Sequence, residues 1–222
     1  MPRHPILSVA AVALVAGLAA ACAPRAEREI AVAEPEQAVV LMEYITVAAP
    51  ETPQGMALLP LAVAEAEVAA EHARLADLRP DDLDWMKMHA AHILHAIAPQ
   101  LAPPGPGLGY GVEQAARDIS RQVRLAARAP GANGEMQTHA GHVATAAGNV
   151  VTWSEAVKTL AQAVLVASEP EEAAEKVDRL ILLTDAILRG NDADGDGTVT
   201  WQRGEGGLEQ AERHMELMAE AG

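Results

Sequence analysis

This sequence predicts an all-α fold, and three observations carry the prediction. Aromatic residues are nearly missing (three Trp, two Tyr and no Phe), while alanine recurs throughout and β-branched residues seldom alternate with polar ones. Strands draw on aromatic and β-branched side chains, and alanine is the best helix former. After residue 56, apolar residues repeat at steps of three and four, the period of a helix with one buried face. Proline and glycine fall between these stretches, as at Pro80, Pro99, Pro130, Pro170 and Gly190, where they start or stop helices. Half of the 222 residues are apolar, enough for one sizeable core. The formal charge is −15. That balance argues against nucleic acid, whose binding needs clustered Lys and Arg, and favours cations as partners.

Residues 1–21 read as a secretory signal. Met1-Pro2-Arg3-His4 is short and basic, Ile6 to Ala21 is apolar, and small residues precede Cys22, the single cysteine. The run is short for a membrane span. Leu18-Ala19-Ala20-Ala21-Cys22 resembles a bacterial lipoprotein lipobox, with Ala19 where Leu is commoner. The resemblance implies cleavage before Cys22 and lipid on its thiol and new amino group. With Ala23 rather than Asp next, it also implies an address on the periplasmic side of the outer membrane. An ordinary secretory signal is the alternative. A lone cysteine makes no internal disulfide. Cleavage removes Arg3 from the 16 basic residues, leaving 15 against 31 acidic ones, or −16.

Residues 22–55 are expected to be a flexible tether, interrupted by Pro24, Pro35, Pro50 and Pro53. Within it, Val39 to Val47 is apolar enough for one short element. Residues 56–168 are expected to form a four-helix bundle. The first helix covers Pro60 to Leu78, with proline in its first turn. The second opens at Pro80-Asp81-Asp82, acids at its positive end, and runs to Ala98. Residues 99–111 are too rich in Pro and Gly for regular structure. Gly107, Gly109 and Gly111 do not make a phosphate loop: no strand precedes them, Pro106 interrupts them and no Lys follows. The third helix, Val112 to Ala129, carries Arg117, Arg121, Arg124 and Arg128 on one face. A solvated face is expected there, with an anionic lipid or a carboxylate as the alternative contact. After the Pro130–Gly134 turn, a long fourth helix carries the stripe Met136, His139, Val143, Ala146, Val150, Trp153, Val157, Leu160 and Val164, with Gly148 or Ser154 able to kink it. Short joints between such helices predict antiparallel packing.

Residues 169–222 are expected to be a helix-loop-helix that either pairs with another copy or packs its stripe on the bundle. Pro170 and acids open its first helix, Gly190 closes it, and Leu208, Ala211, Met215 and Met218 line the second. The segment holds 14 acids and 5 bases, hence −9. Between its helices lies Asn191-Asp192-Ala193-Asp194-Gly195-Asp196-Gly197-Thr198-Val199-Thr200. Carboxylates crowded this closely repel unless something positive sits among them, and glycine after the third Asp permits a sharp turn. Helix, Asp-rich turn and helix resemble an EF-hand over about residues 172–219. By that resemblance Asp192, Asp194 and Asp196 take the first, third and fifth ligand positions, Gly197 makes the turn, Thr198 offers a carbonyl and Thr200 a hydroxyl or a water contact. Arg203 stands where the family has a bidentate Glu, and Glu205, flanked by Gly204 and Gly206-Gly207, is expected to swing in and complete a calcium shell. The implied affinity is weak, on the order of 10⁻⁴ to 10⁻³ M, the range of extracellular modules. The alternative is an Asx-turn without metal.

Histidines supply a second candidate. His89, His92 and His95 fall at steps of three on the second helix, His139 and His142 on the fourth. If those helices face each other, His89 and His92 meet His139 and His142 in a site for copper, zinc or haem. The alternative is polar flank residues on an Ala-rich bundle. Catalysis finds little support: there is no Gly-x-Ser-x-Gly and no His-Glu-x-x-His, and Glu71-His72 points its two side chains apart. The chain is expected not to be an enzyme, and its sequence names no protein partner.

Overall fold

Among the described residues the apolar stripes become seven α-helices: α1 (Glu34–Thr46), α2 (Leu58–Asp77), α3 (Leu83–Ile97), α4 (Val112–Ala126), α5 (Gly134–Val166), α6 (Pro170–Arg189) and α7 (Leu208–Ala221). The computed structural model describes residues 34–221; the signal segment, Cys22 and Ala23 lie outside the described residues. Among the described residues there is no strand, only an isolated bridge between Ala48 and Met56. No helix among them is long and apolar enough to cross a membrane. The all-α expectation holds.

Helix ends follow local chemistry. Asp82 caps α3 by accepting from Trp85 N at 3.0 Å, and Asn133 caps α5 by accepting from Met136 N at 2.9 Å, each satisfying an orphan donor of the first turn. α5 is one helix of 33 residues, about 50 Å by helical rise, and neither Gly148 nor Ser154 breaks it. It is the central pillar, packed against α3, α4, α6 and α7.

One boundary differs from expectation. Residues 34–55 are not all tether: α1 lies on α4 and α2, burying Ala38, Met42 and Ile45. The apolar run Val39 to Val47 finds a partner face that sequence could not point to. Of the two courses open to the helix-loop-helix, the stripe packs on the bundle. α6 packs on α5 and α2 and α7 on α5, so one core runs from Ala38 to Met218. A pair of helices with single apolar stripes buries them on the nearest apolar face, which here is the bundle.

The Pro/Gly-rich loop before α4 is held by Glu65 of α2. Its fully buried carboxylate accepts from Leu108 N (3.1 Å), Tyr110 N (2.9 Å) and Gly111 N (3.0 Å). A buried charge must be compensated in this way. Gly107, at φ +113°, sits so near that an added Cβ would collide with Glu65 Oε2. Gly107 and Gly111 thus lie against a carboxylate. The arginines of α4 are largely ion-paired: Arg117 to Glu113 and to Glu155 of α5, Arg121 to Asp118.

Candidate metal centres

Among the described residues, His or Asp side chains converge at three places that could hold a metal ion. The first lies between α2 and α3. His89 and His92 are three residues apart on α3, so they sit on neighbouring turns, and His72 reaches them from α2. His72 Nδ1 is 2.8 Å from His89 Nδ1. Ring centroids are 5.1 Å apart for His72–His89, 4.6 Å for His72–His92 and 5.8 Å for His89–His92. Trp85 packs edge-on against His89 at 4.4 Å, and its indole is tied down by Leu75 O at 2.7 Å.

The second lies between α5 and α7. His139 and His142 are again three apart on one helix, and His214 comes from the other. His139 Nδ1 is 3.0 Å from His214 Nδ1. The ring distances are 5.2 Å for His139–His214, 4.6 Å for His142–His214 and 5.7 Å for His139–His142. Trp201 stacks on His142 at 3.9 Å. In both trios the candidate ligand nitrogens lie within 4.8 Å of one another.

Burial first, and then the neighbouring imidazoles, push His72 and His214 down to about 4. His89, His92 and His142 are lowered as well, each first by burial. Adjacent imidazoles in a partly dry site cannot all carry charge. At neutral pH these rings are uncharged and keep a lone pair. His92 Nδ1 and His142 Nδ1 are buried without a hydrogen-bond partner, as is His89 Nε2.

This corrects the expected pairing. Although α3 and α5 do pack together, His89 and His92 do not join His139 and His142. Each pair is completed instead by a histidine from a different neighbour, His72 or His214. A signal for His72 existed: it lies eight residues before Pro80 and His89 nine after it, so the two face one another across an antiparallel hairpin. Nothing comparable marked His214, 75 residues from His139. His95 is buried outside both trios, with Gly105 of the loop against its ring.

The third place is the loop between α6 and α7, where Asp192, Asp194 and Asp196 are exposed and their oxygens lie within 4.8 Å of one another. The loop folds on its own carboxylates. Asp192 accepts from Gly195 N (2.8 Å) and Gly197 N (3.0 Å), Asp194 from Asp196 N (3.1 Å) and Asp196 from Thr198 N (2.8 Å). Gly195 and Gly197 have φ +76° and +87°, a region costly for other residues. Glu205 does not join the trio. It is buried, and its Oε2 accepts from Thr200 N at 3.1 Å and from the Thr200 hydroxyl. Thr200, five residues away, supplies both of these donors and so occupies that oxygen. Arg203 lines a cleft with Arg124, Thr145 and Thr152.

Asn149 of α5 anchors the loop: its amide donates to Gln202 O (2.8 Å) and Gly206 O (3.0 Å) and accepts from Gly204 N (2.9 Å). Compared with protein-family models, with curated proteins and with solved structures, the chain matches none.

Proposed function

We propose that this chain is a lipid-anchored, extracytoplasmic protein that binds calcium in the loop between α6 and α7, with the ion ordering that helix pair. One observation carries the reading: three carboxylates converge in a tight turn between two helices, and among the described residues none forms an ion pair with a basic side chain. Each pair repels by about 1 kcal/mol even at the dielectric of water. A divalent cation turns that repulsion into attraction. Oxygen-only ligands suit a hard ion.

The proposed shell is Asp192, Asp194 and Asp196 with the Thr198 carbonyl and water. Glu205 acts as a brace that fixes Thr200, and Thr200 is not a direct ligand. Lacking a bidentate closing carboxylate, the site falls in the weak range, about 10⁻⁴ to 10⁻³ M. By linkage, 10 mM calcium then adds about 1.4 to 2.7 kcal/mol of stability. The membrane part of the reading rests on residues 1–22: acylation at Cys22 would hold the body near a bilayer that no described helix spans.

Calorimetric titration with calcium tests the loop. Heat abolished by Asp194→Ala supports it, and Glu205→Gln should weaken binding only through loop order. If the native chain gives no heat and its melting temperature ignores chelator, the reading is wrong. The anchor is tested by labelling with a radioactive fatty acid, expected to disappear in Cys22→Ser.

A further inference from the structure

We infer that the bundle holds two matched transition-metal sites, one of His72, His89 and His92 and the other of His139, His142 and His214, each taking one ion of the zinc or copper class. The inference is independent of calcium binding by the Asp loop.

The first ground is repetition. Two different helix pairs build the same constellation: a His-x-x-His step on one helix and one histidine from its neighbour. The three ring distances agree within 0.1 Å between the sites, and the close nitrogen pair within 0.2 Å. A tryptophan packs on one ring of each. A buried, unpartnered Nδ1 recurs at the equivalent residue, His92 and His142, and the first trio has His89 Nε2 besides.

The second ground is that orphan. A hydrogen-bonded histidine pair would explain His72 with His89 and His139 with His214. It leaves the third ring of each trio with a buried, unsatisfied nitrogen, an arrangement native proteins avoid unless an ion or water is the missing partner. A metal ion takes one nitrogen from each of the three rings at once, the third ring's orphan included.

The third ground is fit. Zinc–nitrogen bonds of about 2.0–2.1 Å place tetrahedral ligands ~3.3 Å apart. The close pairs stand at 2.8 and 3.0 Å, so each opens by a few tenths of an ångström, a small rotation of two side chains. All-imidazole donors select zinc and copper over calcium and magnesium, which prefer oxygen. Three protein ligands leave a coordination position open for water or an incoming ligand, so these are sites from which an ion can be exchanged.

The test is metal counting on the full-length chain, stripped with chelator, dialysed against zinc with 1 mM calcium present, and measured by mass spectrometry of the elements. Two zinc ions per chain are expected. His72→Ala and His214→Ala should each leave one, and the double variant none, while circular dichroism confirms the helices. Asp194→Ala should still hold two, which separates these sites from the acidic loop. Fewer than two in the native chain, or two retained by the double variant, overturns the inference. Should a variant not fold, copper(II) resonance on the unsubstituted chain decides: nitrogen hyperfine splitting at two coppers per chain is expected, and its absence overturns the assignment.

Discussion

The acidic loop and the histidine trios solve the same problem, converging like groups around a point, by opposite means. The loop is local. Its three carboxylates come from five consecutive residues, stay exposed, and are oriented by backbone amides two to five residues away. The trios are assembled across 17 and 75 residues, lie partly out of water, and depend on which helix packs on which. A local site needs only turn chemistry, so it can form early and loosen alone. A tertiary site exists only when the bundle does, which makes its geometry rigid and its ligands neutral. The one local feature with a tertiary dependence is the loop's far end, which Asn149 and the end of α6 hold.

Breaking that dependence should have the largest effect. A Cβ at Gly207 would meet Ala186 O at 2.6 Å and Ile187 O at 2.8 Å, backbone that cannot yield. Gly207→Ala should destabilise by about 3 kcal/mol, measured by chemical denaturation, and should separate α7 from the end of α6. An effect under about 1 kcal/mol would mean the loop is seated independently of the helices. Next in size, Asn149→Ala removes three hydrogen bonds from a buried side chain and leaves loop groups unpaired. It should cost about 2 kcal/mol, seen as a melting temperature lower by roughly 4–8 °C. It should also relax the stacking of Trp201 on His142, read as a shift in tryptophan emission.

Smaller effects sharpen the contrast. Asp194→Ala, exposed and locally bonded, should change calcium-free stability by less than about 0.5 kcal/mol while removing calcium-dependent stabilisation, compared by thermal melts with calcium and with chelator. The trios should respond to acid instead. His72 and His214 sit near 4 in the folded chain and near 6.5 when unfolded, so the unfolded state binds more protons between those values. Stability of the metal-free chain is therefore full above about pH 6.5 and falls as pH drops towards 4. Replacing both His72 and His214 by Asn should flatten that part of the profile. An unchanged slope would place its origin elsewhere.

The helices from α2 to α7 were legible because each carries its own period and its own stops: Asp82 and Asn133 before a first turn, Pro170 at a start, Gly190 at an end. The Asp loop was legible for the same reason, being a short run whose residue types dictate its turn. α1 was only half-read. Val39 to Val47 showed an apolar element, but not the α4 face it covers. His89, His92, His139 and His142 were found by spacing along a helix, yet their grouping was not, because spacing places side chains on one helix and says nothing about the next. Glu65 left no mark on sequence at all, since its partners are backbone amides some 45 residues away.

By itself the sequence determined the helical state, its punctuation and the acidic turn, all set by interactions within a few residues: backbone propensity, caps, and carboxylates near amides. Only the tertiary structure decided that one core unites bundle and helix-loop-helix, that Glu205 braces Thr200, and that six histidines form two trios rather than one cross-helix site. Those outcomes follow from burying apolar stripes against one another, a non-directional force whose choice of partner is made by shape and packing among distant segments.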